Sequence, residues 1–187
     1  MNNLKITKLK LKDTFLVESN LISDNRGNFG RYFCKKELKD VLKNKEILNI
    51  NYSKSYKKGT FRGLHYQKPP FMECKMPRCI SGKILDIFVD IRKNSKTFLK
   101  WDSVVLSEKN KKMLIIPEGF AHGFQSLEDN SQILYLNTQY FSVKHENGLN
   151  IRDPFLKFSL PIPISHISKK DTQYNFINLD KFKGLEF

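Results

Sequence analysis

Gly82-Lys83-Ile84-Leu85-Asp86-Ile87-Phe88-Val89-Asp90-Ile91-Arg92 is the stretch that decides the fold. Leu85, Ile87, Val89 and Ile91 fall on one face of an extended chain, and Asp86, Phe88, Asp90 and Arg92 on the other. A period of two is the mark of a strand. Its polar inner face predicts a central position beside a lined cavity. Outward from it, further β-like runs occupy 102–106, 113–116 and 132–140, separated by Ser-, Glu- and Asn-rich turns. A helix is predicted only over 35–43, where Leu38, Val41 and Leu42 share a stripe. Beyond Pro154 the chain carries Pro161 and Pro163 and reads as extended wrapping. Many short strands with little helix imply an all-β sandwich or barrel, of which a jelly roll is one solution to the edge-strand problem. No linker, repeat or shift of composition interrupts the chain, so 1–187 reads as a single domain.

The composition is that of a globular protein: 40% of the 187 residues are hydrophobic, and no apolar run is long enough to cross a bilayer. Met1-Asn2-Asn3-Leu4-Lys5 lacks the apolar core of a signal peptide, which predicts a cytoplasmic protein. Cys34, Cys74 and Cys79 are an odd set without zinc-ligand spacing and read as structural thiols. A net charge of +14 favours anionic partners, yet the lysines occur in short groups between apolar residues, the pattern of a solvated surface. A nucleic-acid-binding module is the reading from a different class. It is disfavoured because no such motif is present and stacking aromatics are not interleaved with the basic residues in a repeated pattern.

Two framed histidines point to chemistry. In Phe61-Arg62-Gly63-Leu64-His65-Tyr66-Gln67, a guanidinium and an imidazole stand three residues apart. On a regular strand they face opposite ways, and Gly63 supplies the freedom to bring them together. Ile116-Pro117-Glu118-Gly119-Phe120-Ala121-His122-Gly123-Phe124 holds the second histidine between glycines and aromatics. With Lys75, Tyr135 and a carboxylate in Ser168-Lys169-Lys170-Asp171, these residues make an acid/base set. There is no nucleophile elbow, phosphate-binding glycine loop or His-x-His metal pair.

These motifs, together with Asp24-Asn25-Arg26-Gly27-Asn28-Phe29, Asn51-Tyr52-Ser53, the run from Val89 through Phe98, Glu146, Asp153-Pro154 and Asp171, resemble the dTDP-4-dehydrorhamnose 3,5-epimerase family of cupin-like sugar-nucleotide enzymes. The resemblance covers most of the chain in the same order. It implies a homodimeric jelly roll with a few short helices, no metal and no organic cofactor. By position, His65 would be the general base oriented by Asp171. Tyr135 would be the acid on the other face of the sugar, and Lys75 would stabilise the enolate oxygen. Arg62 and Arg26 would hold the diphosphate, and His122 would line the sugar pocket. Asn51, Phe29, Glu146, Phe141 and Lys170 would complete the substrate contacts.

The implied reaction inverts C3 and C5 of a nucleoside-diphosphate 4-keto sugar, either dTDP-4-keto-6-deoxyhexose or GDP-4-keto-heptose, for surface-polysaccharide synthesis. The expected partners are that substrate and a second copy of the chain, with neither nucleic acid nor membrane. Glu73, Asn49, Pro77 and Phe141 depart from the family's usual residues, and all four border the ligand rather than the acid/base set. The alternatives are therefore a C3-only epimerase of a GDP-4-keto-heptose and a sugar-nucleotide ketoisomerase.

Overall fold

A computed structural model describes residues 3–186. Two antiparallel sheets dominate it. The larger runs in the order β1 (Leu4–Lys8), β2 (Phe15–Ser19), β10 (Lys112–Ile115), β7 (Lys75–Ser81), β12 (Ser131–Asn137), β5 (Asn49–Ser55). The smaller runs β13 (Glu146–Gly148), β6 (Phe61–Gln67), β11 (Phe120–Ser126), β8 (Lys83–Asp90), β9 (Trp101–Ser107). Strands distant in sequence lie side by side in both, which gives the expected jelly-roll sandwich. A separate hairpin pairs β3 (Leu21–Asp24) with β4 (Gly27–Gly30).

The alternation in β8 explains the layering. Ile84 and Phe88 point between the sheets and meet Leu16, Cys79, Leu114 and Ile133 of the larger sheet. Leu85, Ile87 and Val89 point the other way, where Leu156, Phe158, Leu160, Ile164 and Ile167 of the C-terminal chain cover them. Extended wrapping is therefore the role of that tail. Both faces of this central strand are dry, and each large side chain fully buried there contributes about 1.5–3 kcal/mol.

The outer face of the larger sheet is capped by Leu38 and Leu42, which pack on Met76 and Met113. The helix predicted over 35–43 is shorter than expected: α1 spans only Lys39–Leu42 and stops at Lys43, whose φ of 50° is left-handed. The apolar stripe is satisfied by turns and a single helical turn. A second one-turn helix, α2 (Lys169–Thr172), has Ser168 as its N-cap, with the hydroxyl accepting from the Asp171 N–H.

The polar face of β8 serves two purposes rather than one. Asp86 lies beneath the cavity described below. Asp90 is fully buried and accepts hydrogen bonds from Arg92, Ser95 and Thr97, so it closes a loop instead of lining a cavity. Cys34, Cys74 and Cys79 are free thiols. Burial pushes Cys74 up to about 12 and Cys79 up to about 11, as befits structural cysteines. Among the described residues no helix is long and apolar enough to cross a membrane.

Candidate active site

The site lies between the sheets. In the β6/β11 ladder His65 is opposite His122 and Arg62 is opposite Phe124, so Gly63 and Leu64 together face Gly123. This bulge turns Arg62 and His65, three apart in sequence, to one side. Gly63 takes φ 114°, and a Cβ there would stand 2.7 Å from the Gly123 Cα, so both the conformation and the close approach require glycine.

Two cavities meet at His65, Lys75 and Tyr135, which line both. One, of about 420 Å³, is also lined by Arg62, His122, Phe124, Lys170 and Asp171. The other, of about 340 Å³, is lined by Asn51, Glu73, Asn137, Phe141 and Glu146 among others. His65 belongs to the smaller sheet, whereas Lys75 and Tyr135 belong to the larger one. A molecule held between them meets an imidazole from one side and a phenol and an ammonium from the other.

Asp171 Oδ1 lies 2.7 Å from His65 Nε2, and Asp171 Oδ2 accepts from the Gly63 N–H at 3.1 Å. Burial works to raise the Asp171 carboxyl, but the bond and charge of His65 and the Gly63 N–H outweigh it and hold the group below the usual carboxylate range. Asp171 is therefore an anion at neutral pH, suited to orient the imidazole. His122 Nε2 lies 2.9 Å from Asp86 Oδ2 in a second, deeper pair. Asp86 is fully buried, and that burial raises its carboxyl despite the opposing effects of His122 and Lys75.

Lys75 Nζ stands 3.2 Å from Glu73 Oε1, and both side chains are largely shielded from solvent. Burial raises the Tyr135 phenol; Arg62 opposes this and Glu73 adds to it. A raised pKa keeps the proton on to higher pH, which is the state an acid needs. Hence kcat is expected to show no alkaline loss from Tyr135 below about pH 10, the ordinary tyrosine value. A Tyr135-dependent fall near neutrality in the pH profile, absent from Tyr135→Phe, would contradict this.

The remaining expected contacts divide. Asn51 pairs with Tyr135 across β5 and β12, and Glu146 holds Lys170 at 2.5 Å. Arg62 donates to Lys54 O at 3.2 Å and keeps its head exposed at the cavity. Arg26 and Phe29 line neither cavity. They sit on the β3/β4 hairpin, where Arg26 pairs locally with Asp24 and Phe29 is 77% exposed. Sequence reasoning did not assign Asp86, although a carboxylate between Leu85 and Ile87 on a central strand demands a buried partner. Glu73, an unusual residue in sequence, is in the structure the partner of Lys75. Among the described residues no cluster of three or more His, Cys, Asp or Glu side chains could hold a metal ion.

The family model for dTDP-4-dehydrorhamnose 3,5-epimerase matches residues 8–178. The chain belongs to this family. It is 38% identical over 181 residues to the dTDP-4-dehydrorhamnose 3,5-epimerase of Shigella flexneri, covering 96% of this chain and 99% of that protein. Among solved structures, the dTDP-4-dehydrorhamnose 3,5-epimerase of Bacillus anthracis with TDP and PPi bound superposes with a TM-score of 0.90 at 34% identity, covering 93% of this chain and 99% of the other. A Legionella pneumophila dTDP-6-deoxy-D-glucose-3,5-epimerase in complex with dTDP-4-keto-L-rhamnose gives a TM-score of 0.89 at 30% identity, covering 98% and 100%. As a dTDP-4-dehydrorhamnose 3,5-epimerase family member, the chain has the family's cupin-like fold as well as its sequence pattern.

Proposed function

We propose that the protein is an isomerase that inverts C3 and C5 of a dTDP-linked 4-keto-6-deoxyhexose on the way to a surface polysaccharide. The observation that carries this reading is the placement of His65 and Tyr135 on opposing sheets around one cavity. Epimerisation beside a ketone breaks a C–H bond on one face and forms one on the other. His65, oriented by Asp171, takes the α-proton. The electron pair moves onto the C4 oxygen, where the Lys75 ammonium meets the developing charge. Tyr135 returns a proton to carbon from the opposite side, and solvent restores both groups. Protons alone are exchanged, with no net oxidation. Arg62 suits the diphosphate because a guanidinium binds phosphate oxygens bidentately. His122, held by Asp86, lines the sugar end, and Asn51, Phe141, Glu146 and Lys170 lie along the cavity walls.

A second reading, inversion at C3 alone, is favoured by Phe141: it is 63% exposed at the second cavity and offers no hydroxyl to a ligand. A base screen tests the nucleotide. Saturating dTDP is expected to raise the melting temperature by roughly 5–10 °C, from about 2.7 kcal/mol at a hundredfold excess over Kd in a chain of this size. Stabilisation by GDP and not by dTDP would overturn the thymidine assignment.

The proposal includes action as one jelly-roll domain in the cytoplasm, and as a homodimer. The β3/β4 hairpin exposes Ile22 at 69% and Phe29 at 77%, while edge strand β5 exposes Ile50 at 61% and Tyr52 at 56%. An apolar hairpin and an open apolar edge suit addition of the N-terminal region to a second copy across a two-fold axis. Such exchange would place Arg26 and Phe29 against the partner's cavity, which accounts for their distance from their own. Light scattering is expected to give twice the chain mass at micromolar concentration. An active monomer would refute the dimer.

A further inference from the structure

Asp171 reaches His65 across 106 residues of sequence, from a helix of one turn. One turn has no stability of its own, because nucleation fixes several dihedrals for one hydrogen bond. The Ser168 cap is local and sets the turn's shape, not its location. Just upstream, the Phe61 N–H bonds the His166 carbonyl and Ile167 packs against the core; on its other side the turn is held by three contacts, with β13 and with Asn150 two residues beyond it. Lys170 pairs with Glu146, but the lysine side chain is 54% exposed, and pairs in water contribute little. The other two contacts are shielded.

Asn150 is 6% exposed and donates from Nδ2 to the carbonyl oxygens of Thr172 at 3.2 Å and Tyr174 at 2.9 Å. The Tyr174 ring occupies the space left by Gly148. Gly148 is directly opposite His65 in the β13/β6 ladder, so a side chain there would stand on the same face as the imidazole. A Cβ on Gly148 would fall 2.2 Å from Tyr174 Cε2. The tyrosine thus stands in for the missing side chain and meets His65 edge to face, with centroids 6.1 Å apart and planes at 70°. Its hydroxyl is buried and makes no hydrogen bond to a described residue. A buried hydroxyl without a partner is a cost, so the ring's shape is what the site uses.

We propose that Tyr174 and Asn150 form a clasp that positions Asp171 and the His65 ring, with Tyr174 acting through its ring and not through its hydroxyl. This rests on the reading of His65 as the base. The test is a variant series assayed on dTDP-4-keto-6-deoxyglucose, with ¹⁵N NMR of histidine-labelled protein to follow the His65 Nε2–H that bonds Asp171. Tyr174→Phe is expected to keep kcat within about twofold and to retain the resonance, whereas Tyr174→Ala lowers kcat roughly ten- to a hundredfold with KM little changed and loses the resonance. Tyr174→Leu, which keeps bulk without the ring, gives the same reading should the alanine variant fail to fold. Asn150→Ala is expected to act in the same direction.

Retention of kcat and of the resonance in Tyr174→Ala or Tyr174→Leu would overturn the clasp. So would a Tyr174→Phe variant as impaired as Tyr174→Ala, since the hydroxyl would then matter. Asp171→Asn separates the two levels. If it loses the resonance yet keeps kcat, the reading of His65 as the base falls, while the clasp is still judged on the resonance alone.

Discussion

Replacing His65 with alanine is expected to lower kcat by about 10²–10⁴-fold, the usual cost of losing a general base. The imidazole is the basic group that the structure both aims into the cavity and equips with an ionised carboxylate at 2.7 Å. His122 is the poorer base, because it lies deeper, 8% exposed, and its partner Asp86 is a carboxyl that burial raises, whereas Asp171 is held low. Removing His65 leaves Asp171 with the Gly63 N–H, so the fold is expected to survive. His65→Asn, which can still donate to Asp171, should be as inactive as His65→Ala, since an amide holds the carboxylate but takes no proton. Single-turnover assays on folded protein decide it: near-parental turnover in either variant would end the assignment.

Lys75→Met carries the next largest expectation, a fall in kcat of about 10²–10³-fold with KM nearly unchanged. Its ammonium faces both cavities beside Tyr135, where charge gathers on the C4 oxygen only as the proton leaves. An interaction made in the transition state and not with the ground-state ketone appears in kcat. The variant also leaves Glu73, 3.2 Å away in the parent and largely buried, without its cation. Its desolvation cost is then uncompensated, and a lower melting temperature is expected alongside the kinetic loss. Glu73→Gln combined with Lys75→Met should recover stability without recovering kcat. A Lys75→Met defect confined to KM would show that the lysine binds substrate and does not stabilise the enolate.

Much of the fold is legible because burial imposes a period of two. Leu85, Ile87 and Val89 announce β8, and the proline-broken tail beyond Pro154 covers that strand's outer face. Elements with little apolar signal are harder to see. β5, Asn49–Ser55, is an edge strand in which Ile50, Asn51 and Tyr52 are all exposed, and α2 is four polar residues behind a serine cap. The stripe of Leu38, Val41 and Leu42 implies a longer helix over 35–43 than the structure has, because a turn and one helical turn bury it equally well.

The site shows the same division. Gly63 in the Arg-Gly-Leu-His segment signals the bend that brings Arg62 and His65 together, and the bulge supplies it. Pairings set by register across sheets carry no local signal. His122 and Asp86 are 36 residues apart, and Tyr174 meets Gly148 only because α2 folds back over β13. Arg26 and Phe29 match a family pattern yet lie on a hairpin away from both cavities, a distance that no local feature of the sequence signals.

Solvent exchange reports which carbons lose their protons. Turnover of dTDP-4-keto-6-deoxyglucose in deuterated water, followed by NMR of the product, should show deuterium at both C3 and C5 with both centres inverted. Label confined to C3 would contradict the 3,5-epimerase reading in favour of a C3-epimerase, and inversion without solvent label at either carbon would contradict the enolate mechanism itself.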